Sequence, residues 1–482
     1  MATKTVKKSV GTIGLISLGA GGTIGSGWIY TNSQFFSEYG AGGEIFGLML
    51  AMFVAVLASL SFAELATLFI RSGGEVVFGY VAFGKRGALF AAWTLMGGYL
   101  SALGFYVTAS SLLIAQLFPA IATGPSYQFA GVQVYYLELG LGILITLIIF
   151  TITYLGAKLT GQIQTIMMVG LVILGVTLMV VGFSRGSAHN FWPAFSSKQQ
   201  PLPAIIRFVL PAMTFLTGWE SVATMAEEAK MPAKKIGIIV IASIVVAATY
   251  YIGVLLSSAW VYPWQKTANL NMGTIDAFKA AGFPILGTVA FTIAVLGLLT
   301  SFLNLFSASS RLIFSLARGH MLPKPLAKLH PKYGTPTNAL WLVLVLALGI
   351  GWLGKGALVY FLDMGGFLIA LAWAFSAWCL IRVRRNYPTM IGGFRNRRLI
   401  WPTIGGLAAL AIAAITVIPG TPVSLVWPYE YIILGAWTIL GLAGYLWSRH
   451  HPVTADELLG EQIMADLEKH NRHTKDATPE NN

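Results

Sequence analysis

Apolar runs of about 20 residues, long enough to cross a bilayer as helices, recur along nearly the whole chain and are separated by short polar links. The pattern predicts about twelve spans, near residues 13–37, 42–69, 89–118, 135–155, 161–184, 203–229, 236–262, 284–317, 338–354, 357–381, 401–419 and 428–447. No soluble domain interrupts them. The longest links are 70–88, 318–337 and 382–400. The second is punctuated by Pro323, Pro325, Pro331 and Pro336, and the third carries Arg382, Arg384, Arg385, Arg395, Arg397 and Arg398. The predicted fold class is therefore all-α, a polytopic membrane protein.

Two of these spans are broken by glycine. Residues 18–28 read LGAGGTIGSGW, and residues 215–228 read FLTGWESVATMAEE. Gly21, Gly22, Gly25 and Gly27 would each weaken a straight helix by about 1 kcal/mol relative to alanine. Irregular backbone at membrane depth is tolerated only where it is buried or lines a cavity. Two interrupted spans at corresponding places in two halves of a chain point to the binding site of a solute carrier. If the first span opens, the amides of Gly25, Ser26 and Gly27 become the positive end of the following half-helix and favour a carboxylate. The carbonyls of Thr23 and Ile24 end the preceding half-helix and favour an ammonium group. One broken helix thus offers both ends of a zwitterion a partner. The alternative is a helix-packing face, since Gly21 and Gly25 also form a small-xxx-small pair. In the second break Gly218 follows Thr217, and Glu220 lies deepest among the acids. An intramembrane carboxylate is a functional hypothesis by default. Glu227 and Glu228 precede Lys230, Lys234 and Lys235 and are read as inner-interface ion pairs.

Composition narrows the class. Mean hydropathy is +0.73, and 56% hydrophobic against 10% charged residues excludes an ordinary soluble domain. The net charge of +13 matters through its placement. With the N-terminus cytoplasmic and the spans alternating, cytoplasmic segments hold 24 of the 31 Lys and Arg, and external segments and their borders hold six. That bias predicts a multi-pass protein of the cytoplasmic membrane with both termini on the cytoplasmic side and explains the basic balance through anionic lipid rather than nucleic acid. The single cysteine, Cys379, falls inside a span, so no disulfide-linked accessory subunit is expected. Lys4, Lys7 and Lys8 precede an uncleaved first span. All seven histidines lie in links or the tail, which leaves no buried cluster for a metallo-enzyme. No G-x-x-x-x-G-K-[ST] motif exists to serve a nucleotide-driven pump, so no cofactor is expected.

Other residues attract lesser expectations. Asp363 lies about 10 Å into its span and is read either as a cation or proton site or as the cap of a helix break at Gly365-Gly366. Arg311 is read as snorkelling or pairing with a carboxylate. Tyr135, Tyr136, Trp260, Tyr262, Trp264, Trp427 and Tyr429 form external aromatic belts. In the tail, Leu458, Leu459, Ile463, Met464 and Leu467 suit one face of a short amphipathic helix, with disorder expected beyond Arg472.

At this level the chain resembles the amino acid–polyamine–organocation (APC) superfamily of permeases. The resemblance rests on Ile24-Gly-Ser-Gly27, Phe62-Ala-Glu-Leu-Ala66, Ser72-Gly-Gly74 with Tyr80 and Gly84, Gly156-Ala-Lys158, Gly218-Trp-Glu220, Ala226-Glu-Glu-Ala-Lys-Met-Pro232, Ser310-Arg311, Ala317-Arg318, Leu322-Pro323 and Thr335-Pro336. They occur in order between about residues 10 and 450. The resemblance implies a five-plus-five inverted repeat: an N-terminus over 1–12, spans 1–5 within 13–183, spans 6–10 within 203–381, two further spans within 401–447 and a tail over 453–482. It also implies amino-acid substrates moved by alternating access. Ser26 and Gly27 should meet the substrate carboxylate, and carbonyls at Thr23 and Thr217 its amino group. Asn304 should face the site, with Thr214, Gly218 and Trp219 beside it. Glu220 should tie span 6 to its neighbours or take part in gating.

Two departures affect the pocket. Thr214 stands where the family often has a bulky aromatic gate, and Trp28 where a smaller aliphatic is common. A third concerns coupling, because span 5 lacks the lysine of many proton-coupled relatives. A Thr-Ser pair like Thr300-Ser301 binds sodium in related carriers, so Gly21, Ile24, Gly297, Thr300 and Ser301 form a candidate sodium site. The two hydroxyls could equally bond back to their own helix. Proton coupling, exchange without an ion, and a non-transporting sensor of the same fold stay open.

Overall fold

The computed structural model describes residues 8–421 and 424–476. Among them nine helices are long and apolar enough to cross a membrane, and three shorter apolar helices, Thr12–Gly21, Pro201–Phe215 and Thr337–Gly351, complete the predicted set. Spans 1 and 6 are the broken ones. Span 1 runs through Thr12–Ile16 and a π-helical turn, Ser17–Gly21, loses helical form over 24–26 and resumes at Gly27–Tyr30. Span 6 runs over Pro201–Phe215, opens over 216–220 and resumes only as the short helix Ser221–Thr224.

The helix Asn32–Leu68 joins the end of span 1 to span 2 through a sharp turn at Gly40 (φ 75°). A β-carbon there would lie 2.5 Å from the Ser196 amide nitrogen, so no other residue fits this corner. The predicted link 70–88 is largely helical instead. Helix starts at Gly74, turns at Gly84 (φ 66°) and continues as span 3 to Leu117. Glycine's access to positive φ at Gly84 turns the chain while its hydrogen bonding continues. Spans 4, 5, 7 and 8 follow as Tyr136–Tyr154, Ala157–Arg185, Ala233–Val261 and Pro284–Arg318. Spans 10, 11 and 12 are Leu358–Asn386, Ile400–Val417 and Tyr429–Arg449. A small antiparallel hairpin, Ser126–Phe129 with Val132–Tyr135, joins spans 3 and 4. Spans 5, 7 and 8 pack against the first break, and spans 2, 3, 7 and 8 against the second. Trp264 is buried and donates to the Pro193 carbonyl at 2.8 Å, so it is a core contact rather than a belt residue.

Arginines organise the face that carries the termini. Arg384 grips Glu64 through two bonds of 2.6 Å, joining spans 2 and 10. Such forked pairs are the strong form of a charge-assisted bond. Glu227 and Glu228 pair with arginines that precede span 3 or lie in span 8, not with the adjacent lysines. Glu227 meets Arg71 and Arg318, each at 3.0 Å, and Glu228 meets Arg311 at 2.8 Å. The three lysines lie outside this buried layer, and only side chains from facing elements reach it.

The tail closes over this layer as two helices, Ala455–Leu459 and Glu461–Asp476, separated at Gly460. Arg71 donates to the carbonyls of Glu457 and Leu458 at 2.8 and 3.2 Å, and Thr454 bonds His320 at 2.7 Å. Leu458, Leu459 and Ile463 are buried, as their spacing predicted. The second helix continues four residues past Arg472. The disorder expected for the remainder, 477–482, falls outside the described residues. Burying an aliphatic side chain of this size contributes about 1.5–3 kcal/mol, so Leu458→Ala with Ile463→Ala should detach the tail. Amide exchange over 455–467 is then expected to rise sharply with no change in spans 1 to 12. Unchanged protection would show that the tail is held by other contacts.

Candidate functional site

The two breaks touch. Gly218 adopts φ +133°, and a β-carbon on it would lie 2.8 Å from the Gly22 carbonyl oxygen. Asn304 of span 8 locks this junction by donating to the Gly218 carbonyl at 3.0 Å, with its side chain pressed against Gly22. Both glycines are required by this close approach. Asn304, expected to face the site, lies at this contact between the two breaks.

Tyr251 of span 7 supplies the second tie. Its hydroxyl oxygen accepts from the Gly25 amide at 2.5 Å. Its one proton is shared between the carbonyls of Thr23 at 2.5 Å and Phe215 at 3.1 Å. A single polar atom thus satisfies backbone from both breaks. Trp28 closes the opposite side, donating from Nε1 to the Gly25 carbonyl at 2.6 Å and packing on Tyr251 with ring centroids 4.8 Å apart. The amides of Ser26 and Gly27 donate to no group among the described residues. The Ser26 hydroxyl is buried without a partner. Around them, Gly27 faces Phe215 and Phe105, and Gly25 faces Tyr106 and Ser301. Every one of these side chains is uncharged.

Sequence reasoning missed Tyr251. A signal was present, because two phenols, Tyr250 and Tyr251, sit mid-span in an apolar helix, and a buried phenol needs a hydrogen-bond partner. It missed Gln164 of span 5 for a different reason: an amide carries no charge to mark it out. Gln164 is fully buried and donates to the Thr300 carbonyl at 3.2 Å, beside Gly21. Of the candidate sodium ligands, Ile24, Gly297 and Thr300 meet. The Thr300 hydroxyl lies 3.1 Å from the Ile24 carbonyl and 2.9 Å from that of Gly297. Ser301 is oriented to Gly25 instead.

The Thr214 and Trp219 side chains point elsewhere, while Thr217 is expected to act through its carbonyl and not its side chain. Thr214 donates to the Leu362 carbonyl of span 10 at 2.5 Å, and Thr217 bonds back to Met213 at 3.0 Å. Trp219 packs between Phe62 and Trp373, away from the Gly25 turn. Glu220 behaves as a tie. Its two carboxylate oxygens accept from the Gly218 amide at 2.7 Å and from Trp373 Nε1 of span 10 at 2.6 Å. Asp363 caps no helix break, because span 10 is continuous through Gly365 and Gly366. Those glycines instead let span 6 approach, and a β-carbon at Gly366 would lie 2.2 Å from the Leu210 carbonyl oxygen. Asp363 faces Glu430 of span 12, with Glu38 and Arg207 nearby.

Similarity to known proteins runs along most of the chain. The model of the amino acid permease family matches residues 10–441. The chain is similar to the methylthioribose transporter of Bacillus subtilis, 28% identical over 81% of this chain and 84% of that protein. It is similar to the branched-chain amino acid permease BcaP of Lactococcus lactis, 25% identical over 92% and 95% of the two chains. For BcaP of Bacillus subtilis the figures are 26%, 93% and 94%. With the family model spanning most of its length and two glycine-broken spans at its centre, the chain belongs to the amino acid permease family of polytopic membrane transporters, and it is not an enzyme.

Proposed function

We propose that this permease is a secondary transporter of neutral, apolar amino acids, working by alternating access around the junction of spans 1 and 6. The observation that carries this reading is the single hydroxyl of Tyr251 held between a carbonyl and an amide of one break and a carbonyl of the other. A ligand at that point meets donors and acceptors a few ångströms apart, as an α-amino acid requires. The free amides of Ser26 and Gly27 suit its carboxylate, and the carbonyls of Thr23 and Thr217 suit its ammonium group. Phe105, Tyr106 and Phe215 would then surround its side chain. The branched-chain permeases among the relatives support that choice. The distribution of lysine and arginine supports both termini lying in the cytoplasm. A sensor of the same fold is the competing reading. The relative named for methylthioribose favours a further one, an uncharged sugar-like solute.

Uptake by proteoliposomes tests all three. Leucine, isoleucine and valine should exchange against themselves, and arginine, glutamate and methylthioribose should not. Binding without flux would make the protein a sensor, and flux of methylthioribose alone would replace the amino-acid reading. Replacing external sodium by choline is expected to leave uptake unchanged, because the Gln164 amide places an N–H donor beside the oxygens a sodium ion would need. Uptake that rises with sodium and falls in Thr300→Ala/Ser301→Ala would restore the sodium site.

A further inference from the structure

Arginines on the face that carries the termini fall into two groups. Arg71, Arg311, Arg318 and Arg384 are each held by a glutamate. Arg86, Arg382 and Arg385 are exposed, and no salt bridge joins them to a carboxylate among the described residues. Arg86 Nε donates to the Tyr445 hydroxyl at 3.1 Å, and the Arg382 guanidinium lies 6.0 Å from the centroid of the Phe83 ring.

These three stand at one end of an apolar trough. Spans 3, 10 and 11 frame a groove of about 210 Å³ whose lining includes Phe90, Phe375, Trp378, Ile381, Thr403 and Leu407. Its floor is tight, since a β-carbon at Gly406 would lie 2.5 Å from the Ala377 β-carbon. Its aromatic wall is continuous. The Phe375 ring lies 4.8 Å from that of Phe90 and 5.4 Å from that of Phe83, and Phe83 lies 6.3 Å from Trp378. Trp378 and Leu407 are each 61% exposed, so the trough opens sideways toward lipid and not toward the junction of the breaks. Residues four apart share a helix face. Arg382 and Arg385 follow Trp378 and Ile381 by four on span 10, and Arg86 precedes Phe90 by four on span 3. Two spans thus bring three guanidinium groups to the end of the trough nearest the termini.

A hydrocarbon chain in the trough and a phosphate at its end satisfy both halves of this arrangement. Guanidinium binds phosphate oxygens in forked pairs, and basic pockets between spans take anionic lipid headgroups. Snorkelling accounts for one exposed arginine near a span end. It does not account for three around one groove, with Arg384 beside them turned inward to Glu64. We propose that this trough binds one anionic phospholipid, its phosphate held by Arg86, Arg382 and Arg385 and an acyl chain lying between spans 3, 10 and 11. The site is separate from the solute junction and does not depend on which solute is carried. It bears on that junction through span 10, whose Trp373 holds Glu220 and whose Gly366 admits span 6.

Native mass spectrometry of the detergent-purified protein supplies the test, with phosphatidylglycerol and phosphatidylcholine of matched chains as probes. The parental protein should retain one phosphatidylglycerol and no phosphatidylcholine at equal concentration, and phosphatidylglycerol alone should raise its Tm. Arg382→Ala/Arg385→Ala should weaken retention about 30-fold, roughly fivefold for each charge removed near the membrane surface. Both side chains are exposed, so the fold is spared. Ala374→Leu fills the trough and leaves the arginines in place, and it should weaken retention as well. Equal retention of the two lipids by the parental protein overturns the proposal, and that measurement needs no variant. Parental retention of phosphatidylglycerol in either variant overturns it too, because headgroup or chain would then sit elsewhere. A dimer that excludes lipid from this face would make it a contact between two copies and overturns it also.

Discussion

Gly218→Ala is expected to reduce leucine uptake about 100-fold while the purified protein stays folded and monodisperse. Gly218 sits at φ +133°, where an L side chain is strained. The added β-carbon would lie 2.8 Å from the Gly22 carbonyl oxygen, 3.0 Å from its carbon and 3.1 Å from the Thr23 α-carbon. All three are backbone, so no side-chain rotation relieves the clash. Spans 1 and 6 must separate, and Asn304 loses its acceptor. Strain and lost contacts of about 3 kcal/mol correspond to the stated factor. Gly435→Ala, where nothing lies within 4 Å, is the control and should transport normally. A smaller loss is expected for Gly27→Ala. There the β-carbon meets only the rings of Phe215 and Phe105, at 2.6 and 2.9 Å, and these can rotate aside. Equal uptake by the Gly218 variant and the control would mean that the junction is not part of the transport path.

The second large effect is expected from Tyr251→Phe. The ring and its contact with Trp28 remain, but the Gly25 amide and the Thr23 and Phe215 carbonyls lose their common partner. Leaving a buried polar group unmet costs about 1–3 kcal/mol. Uptake should fall by about tenfold or more, and tight binding of leucine should weaken less than flux does. Parental flux in this variant would remove Tyr251 from the mechanism.

The spans and both breaks are legible in the sequence because lipid imposes strict rules. A crossing helix needs a long apolar run, and glycine clusters inside it are conspicuous. The ends of half-helices follow from the same backbone rule, so Thr23 and Gly25 stand out from residue order alone. What escapes depends on which helix faces meet. Tyr251 and Gln164 lie 226 and 136 residues from the partners they bond. No local pattern reports such distances. Gly365-Gly366 shows the converse. A glycine pair reads as a break in one dimension, yet here it is the space that lets Leu210 approach. Glu227 and Glu228 point in sequence to lysines a few residues away, although the fold brings Arg71, Arg311 and Arg318 to them instead.

The clasp between Arg71 and the tail also orders events during synthesis. Arg71 is separated from its acceptor Leu458 by 387 residues. At about 5–20 residues per second, the ribosome needs on the order of 20–80 s to make the intervening chain. Through that interval the guanidinium has Glu227 at most, once span 6 has emerged, and its two carbonyl acceptors do not yet exist. The surface that carries the termini is therefore sealed late, by a segment made after every span. A chain stopped after span 12 would carry every helix of the bundle and both breaks but leave the Arg71 layer uncovered, so the clasp separates molecules that hold the spans alone from those whose tail has also been made.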